Sequence, residues 1–142
     1  MKNLNAKTIY CDMDGVIADF FAAPNAVERF AIEKDFFYNL KPIRKNLNAI
    51  KKIIKQGLNV KILTASPHEQ ADNDKIKWLK KYLGNVNYII CRVGQNKSQF
   101  VDDIKNSLLL DDYIVNITQW RENGGKAIHI GQEVKDITEL LN

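Results

Sequence analysis

The chain has 142 residues, 45% of them hydrophobic and 27% charged, with a formal net charge of +4. That is enough for one domain able to bury about 70% of its unfolded surface, and no apolar run approaches the ~18 residues a bilayer span needs. Met1 to Asn5 lack the apolar core of a signal peptide, and two cysteines, Cys11 and Cys91, make neither a disulfide framework nor a zinc site, so a reduced cytoplasmic setting is expected.

In chain order, residues 8–11 form the first apolar, β-rich run. Residues 20–42 then form an insertion holding five of the six phenylalanines (Phe20, Phe21, Phe30, Phe36, Phe37) plus Tyr38. It reads as a small helical cap in which Pro24 opens a short helix and Asp19 caps it. Ile43, Leu47, Ile50 and Ile54 predict a helix closed by Gly57. A second strand follows at 60–63. Ile76, Leu79 and Leu83, widened by Trp78 and Tyr82, predict a second helix ending at Gly84. Lys51, Lys52, Lys55, Lys75, Lys77, Lys80 and Lys81 fall where these helices need solvated faces. Strands at 88–91, 108–110 and 127–130 alternate with a helix over 113–123, and Ile137, Leu140 and Leu141 suggest a short last helix. Strand–helix alternation predicts an α/β fold, a parallel sheet covered on both faces with ligands beyond the carboxyl ends of its strands. The whole of 1–142 reads as one domain, with the cap inserted at about 20–42.

Two of those strand ends carry paired acids: Asp12-Met13-Asp14-Gly15 after the first and Asp111-Asp112 after the fourth. Taken alone, Asp12 to Gly15 could be an acidic turn. The repeat of the device favours one site built from both, with a divalent cation offsetting repulsion between carboxylates; oxygen ligands of this kind suit Mg²⁺. The second strand runs into Thr64-Ala65-Ser66, supplying a hydroxyl, and Gly94-Gln95-Asn96-Lys97 supplies an ammonium. Carboxylates, hydroxyl, lysine and cation together make a set suited to phosphoryl transfer.

Asp12-Met13-Asp14-Gly15-Val16, Leu63-Thr64, Lys97 and Leu110-Asp111-Asp112, in that order, resemble the four motifs of the haloacid dehalogenase (HAD) superfamily of phosphohydrolases. Within it, the run from Asp12 to Phe20, Phe36-Phe37-Tyr38-Asn39-Leu40-Lys41-Pro42, Thr64-Ala65-Ser66-Pro67 and Lys75-Ile76-Lys77-Trp78-Leu79 are most similar to the 5′(3′)-deoxyribonucleotidases. The insertion is shorter than the cap of the vertebrate enzymes. The resemblance implies a HAD-like Rossmannoid three-layer fold with a five-stranded parallel sheet, and a Mg²⁺-dependent phosphomonoesterase. Asp12 would be the nucleophile, forming an aspartyl phosphate, and Asp14 the general acid and base. Asp12, the Asp14 carbonyl and Asp112 would bind metal, while Thr64 and Lys97 hold the phosphoryl group. Asp111 and Ser66 would support the site, and Gly15 would let backbone amides approach the phosphate.

The implied substrate is a small phosphate ester, a nucleoside monophosphate. Phe20, Phe21, Phe36 and Phe37 are candidates for stacking on its base, although three or four of the cap aromatics are needed for packing. Lys105 rivals Lys97 but reads as a solvated helix residue. Ser66 could only cap a turn. Trp120 reads as core, and Asn116 matches the family pattern after the acidic pair. His68 and His129 lack ligand-spaced partners and read as structural. No aromatic-interleaved nucleic-acid motif is present, so neither nucleic acid nor membrane is an expected partner. Three alternatives stand beside the nucleotidase: a nucleic-acid 3′-phosphatase or other HAD phosphatase, a receiver-like signalling domain, and an idle scaffold. A receiver is disfavoured because its accepting Asp follows the third strand, where this chain has Arg92.

Overall fold

The computed structural model describes residues 4–141. Five strands, β1 (Thr8–Cys11), β2 (Val60–Ser66), β3 (Asn87–Arg92), β4 (Ser107–Asp111) and β5 (Lys126–His129), form one parallel sheet in the order β3-β2-β1-β4-β5. The helices are α1 (Ala26–Arg29), α2 (Arg44–Lys55), α3 (Glu69–Leu83) and α4 (Ile114–Glu122). The expected last helix is a 3₁₀ turn, Ile137–Leu140.

Side chains alternate across a strand, so consecutive residues feed opposite layers. Ile9 and Cys11 of β1, Ile62 of β2 and Leu108 and Leu110 of β4 pack with Ile50 and Ile53 of α2 and Trp78 and Leu79 of α3. Tyr10, Leu63 and Leu109 point the other way, onto Ile117 and Trp120 of α4. Trp120 donates its indole N–H to Ser107 Oγ at 3.1 Å, which satisfies the one polar atom of that buried ring. The three layers expected from the strand–helix alternation are thus present. In α2 the buried face runs through Leu47, Ile50 and Ile53, with Ile54 at its margin.

The chain builds β1, β2 and β3 outward on one side, then crosses back to β4 and β5 on the other. Strand order therefore reverses between β1 and β4, where the carboxyl ends diverge and leave a crevice. Asp12 follows β1 at that crevice, its amide donating to the Leu110 carbonyl at 2.9 Å, and Asp111 ends β4.

The insertion is cinched at its base, where the Asp19 amide donates to the Lys41 carbonyl at 2.8 Å and the Ile43 amide to that of Ile17 at 2.7 Å. It is mostly turns; α1 is its one helical turn, so the expected helical cap is only minimally helical. Pro24 does not open that turn. Asn25, in the left-handed region at φ 55°, stands between them and occupies the N-cap, so Asp19 caps no helix. What orders the segment is aromatic packing: Phe20 meets Phe30, Phe36 and Phe37 with ring centroids 5.7–6.4 Å apart. Trp78 anchors the far end, donating to the Leu40 carbonyl at 2.8 Å.

Candidate active site

Five elements contribute to one cavity of about 570 Å³ at the carboxyl edge of the sheet. Its wall includes Asp12 and Asp14, Phe20, Phe21 and Phe37 from the cap, Ala65 after Thr64, Lys97, Asp112 and Asn116.

Lys97 opens a short 3₁₀ turn, Lys97–Phe100, whose start is fixed by Asn96 Oδ1 accepting from the Ser98 amide. The turn aims the ammonium inward, where it donates to Asp12 Oδ1 at 2.9 Å and Asp111 Oδ2 at 2.8 Å. All three residues are buried. Lys105 lies at the opposite end of the sheet, in the exposed 3₁₀ turn that precedes β4, and is no competitor.

The two acids of the fourth strand differ in how far they are satisfied. Asp111 Oδ1 accepts from the Tyr113 amide at 3.0 Å, and Oδ2 accepts from Asn116 at 3.1 Å as well as from Lys97. The Asp112 carboxylate instead faces the carboxylate of Asp12; burial pushes its pKa up, and a hydrogen bond with Asp12 holds it down. Its loop is held from behind by His129, which bridges Nε2 to the Asp112 carbonyl at 2.9 Å. Oxygens of Asp12, Asp111 and Asp112 lie within 4.8 Å of one another.

Three carboxylates around one ammonium leave an excess of buried negative charge. Burial pushes the Asp12 carboxyl up to about 6; Asp112 and Asp14 add to the rise and Lys97 opposes it. Burial and Asp12 raise Asp111 to about 6, and burial and Asp111 raise Asp112 to about 6. Burial disfavours the charge on Lys97, but Asp12 and Asp111 outweigh it and hold its pKa above the ordinary lysine value. An all-oxygen donor set with surplus negative charge fits a hard divalent cation such as Mg²⁺. Asp12 and Asp112 have the oxygens to offer, since those of Asp111 are already hydrogen-bonded.

Asp14 is turned away from that cluster. Its Oδ2 accepts from Lys75 Nζ at 2.7 Å, while Oδ1 is buried with no hydrogen-bond partner among the described residues. Lys75 corrects the reading of the α3 lysines as a solvated face. Lys77, Lys80 and Lys81 are exposed, but Lys75 is fully buried. Its ammonium also donates to Thr64 Oγ1 and to the Ala65 carbonyl, each at 2.7 Å, and lies 4.5 Å from the centre of the Phe37 ring. The available signal was its place in the run Lys75 to Leu79, which belongs to the family likeness.

Other expected residues sort as follows. Thr64 is buried beside Lys75. Ser66 is buried too, but its hydroxyl donates to the His68 carbonyl at 3.2 Å and it lies off the cavity wall, which is the turn-capping role. The Gly15 amide donates to the Ala18 carbonyl at 2.8 Å, so it is not free to meet a phosphate; glycine is required there by φ +83° and by Asp112, which packs where a side chain would go. Of the proposed stacking residues, Phe36 is buried away from the cavity and lines a separate one with Asp19 and Lys41. Phe37 meets the cavity only as a buried floor under Lys75. Phe20 is partly buried, and Phe21 is 72% exposed at the mouth. Opposite stand Val93 and Tyr113, both more than half exposed. His68 is structural: Nδ1 accepts from the Ala71 amide at the start of α3, so Nε2 carries the proton and donates to the Ala31 carbonyl in the cap.

One residue that carries no chemistry holds the frame. Asn46 of α2 donates to the Val16 carbonyl at 2.7 Å and accepts from the Ile137 amide at 2.8 Å, tying the turn after Asp14 to the last 3₁₀ turn.

The family model described as "5′ nucleotidase, deoxy (pyrimidine), cytosolic type C protein" matches residues 23–136. That stretch takes in Thr64, Lys75, Lys97, Asp111 and Asp112 but begins after Asp12 and Asp14. No curated protein matches the chain in sequence. Among solved structures, a chain of the Pnkp1/Rnl/Hen1 RNA repair complex is 17% identical with a TM-score of 0.67, covering 92% of this chain and 44% of that one. A hydrolase from Pseudomonas syringae is 14% identical (TM-score 0.62; 94% and 88% covered). D,D-heptose 1,7-bisphosphate phosphatase from Burkholderia thailandensis is 14% identical (TM-score 0.59; 84% and 74% covered). The chain spans less than half the length of the RNA-repair chains it matches. These structures share the fold. No described helix is long and apolar enough to cross a membrane.

Proposed function

We propose that this chain, which belongs to the cytosolic type C deoxy (pyrimidine) 5′-nucleotidase family and has the HAD-like fold, hydrolyses nucleoside monophosphates through an aspartyl phosphate on Asp12. The observation that carries the reading is the clamp of Lys97 on Asp12 and Asp111 across the β1/β4 crevice. It holds a buried carboxylate by Oδ1, which also accepts from the Met13 amide at 2.8 Å, and leaves Oδ2 as the attacking oxygen.

In the first step Asp12 Oδ2 bonds to phosphorus and the bond to the leaving oxygen breaks, with Asp14 giving that oxygen a proton. In the second, Asp14 takes a proton from water as the water oxygen bonds to phosphorus and the bond to Asp12 breaks. Thr64 and Lys97 receive the phosphoryl oxygens. A Mg²⁺ ion on Asp12, Asp112 and the Asp14 carbonyl would offset the charge of carboxylate and phosphate as they approach. The nucleoside would lie in the cavity between Phe21 on the cap and Tyr113 on the sheet side, surfaces suited to a flat, partly apolar base.

The test is phosphate release from a panel of 5′- and 3′-nucleotides, a 3′-phosphorylated oligonucleotide and a small alkyl phosphate, with Mg²⁺ or with chelator. Nucleotide turnover that needs Mg²⁺ and disappears in Asp12→Asn is expected. Activity in chelator, or in that variant, overturns the mechanism. Preference for the oligonucleotide replaces the substrate with a nucleic-acid end.

A further inference from the structure

The geometry points to His68 as a positioning residue that holds the outer turn of the cap, residues 26–34, in place as a wall of the substrate cavity. It assigns a role to a side chain outside the catalytic set, and its kinetic arm rests on the nucleotidase reading.

The outer turn hangs between two non-glycine residues in the left-handed region, Asn25 at φ 55° and Asp35 at φ 62°. Asn and Asp tolerate that conformation better than other residues with a side chain, so the chain can change direction at both ends of the turn at low cost. Between them the turn is tied chiefly to itself. The Phe30 amide donates to the Ala26 carbonyl and the Glu33 amide to that of Arg29, each at 2.9 Å, and the Arg29 guanidinium reaches Glu33 and the Pro24 carbonyl. Val27 and Phe30, three residues apart and so on one face, line the cavity. The Phe30 ring packs on the cap's own Phe20 and Phe37, with centroids 5.8 and 6.4 Å apart. Among the described residues, a single hydrogen bond joins residues 21–39 to the chain outside the insertion. It comes from His68, whose Nε2 donates to the Ala31 carbonyl at 2.9 Å.

The donor is itself fixed from two sides. Its own carbonyl accepts from the buried Ser66 hydroxyl at the end of β2, and its Nδ1 accepts from the Ala71 amide as the N-cap of α3, each at 3.2 Å. Pro67, between Ser66 and His68, lines the same cavity. The two ring nitrogens therefore do separate work, one for the helix and one for the cap.

That division supplies the experiment. His68→Asn puts an acceptor where Nδ1 stands and nothing at Nε2, so it keeps the helix cap and drops the tether. His68→Gln puts a donor where Nε2 stands and nothing at Nδ1, so it keeps the tether, and a lower Tm marks the lost helix cap. Amide hydrogen exchange without substrate, read by mass spectrometry, should speed up over 26–34 by about 2- to 10-fold in His68→Asn, the factor to which the net worth of one hydrogen bond converts. In His68→Gln exchange there should match wild type. For a nucleoside monophosphate, KM should rise at least about 2-fold in His68→Asn with kcat little changed, since binding then requires a turn that is less often in place. It should stay at the wild-type value in His68→Gln, and KM for a small alkyl phosphate, which has no nucleoside to meet the turn, should move in neither. Unchanged exchange over 26–34 or unchanged nucleotide KM in His68→Asn overturns the proposal. So does an equal KM shift in both variants or for both esters, or loss of the fold in both variants by circular dichroism. A wild type that turns over no nucleotide overturns the nucleotidase reading instead, and the exchange comparison still decides the tether.

Discussion

Asp112 packs against the bare Cα of Gly15: a Cβ there would overlap Oδ2 of Asp112 and crowd the Phe21 ring, and φ at this glycine is +83°. The turn after the first acidic pair and the second acidic pair are thus shaped to each other across the crevice. Gly15→Ala must displace the carboxylate and adopt a left-handed backbone, which alone costs about 1–2 kcal/mol. The expected outcome is a folded protein of lower Tm with Mg²⁺ affinity reduced at least about 10-fold, as for a disturbed metal ligand shell. Calorimetric titration with Mg²⁺ checks this, and unchanged affinity refutes it.

Removing the Lys97 ammonium leaves Asp12 and Asp111 buried without a cation. Breaking a buried pair from one side costs about 3–5 kcal/mol, so Lys97→Met should melt well below wild type at pH 7.5. Both acids have folded pKa values of about 6 even with Lys97 present, and its loss raises them further. Below that range they are neutral and the penalty fades. The gap in Tm should therefore narrow on going from pH 7.5 to pH 5, and Lys97→Met/Asp111→Asn should recover part of it.

Asp112 gives a stability prediction of the opposite sign. Its carboxyl is raised from 3.8 to about 6 by burial and Asp111. Between those values the folded state binds more protons than the unfolded state, so its contribution is fully present below pH 3.8 and is lost as pH rises through about 6. A shift of about two units is worth about 3 kcal/mol at most. In chelator, Asp112→Asn should be more stable than wild type at pH 7.5 and equal to it at pH 4. Saturating Mg²⁺ should reverse the order at pH 7.5, because only wild type gains from the ion. Differential scanning calorimetry across pH checks both signs.

The cap aromatics divide into those that pack and those free to meet a ligand. Phe36→Ala should cost about 3–5 kcal/mol of stability, as for other buried phenylalanines. Phe21→Ala should leave the unfolding free energy within about 1 kcal/mol of wild type, because little of its surface is buried. It should nevertheless raise KM for a nucleotide several-fold while sparing a small alkyl phosphate. An equal effect on both esters removes Phe21 from substrate recognition.

The amino-acid sequence by itself determined the framework. Short β-branched and apolar runs read as strands, the 3.6-residue spacing of apolar residues places the intervening helices, and their alternation points to a parallel sheet whose carboxyl ends gather Asp12, Thr64 and Asp111. These signals are local, which is why β1 falls on the expected residues and Gly57 and Gly84 follow their helices at positive φ. Tertiary structure decided what periodicity cannot hold. Lys75 stands three and four residues before Trp78 and Leu79, on the buried face of α3, but helical spacing says nothing of what would satisfy an ammonium there. Its burial depends on acceptors from Asp14 and Thr64, 61 and 11 residues away, which satisfy all three of its donors together with Ala65. Asn46 is the same case, a polar residue on a helix face whose partners, Val16 and Ile137, come from distant parts of the chain. The cap aromatics show the same physics for packing: composition announces a cluster, but only the closure of the segment at Asp19 and Lys41 decides that Phe36 faces inward and Phe21 faces the site. A buried polar group is stable only when its partners arrive, and the partners are set by the fold rather than by neighbours in sequence.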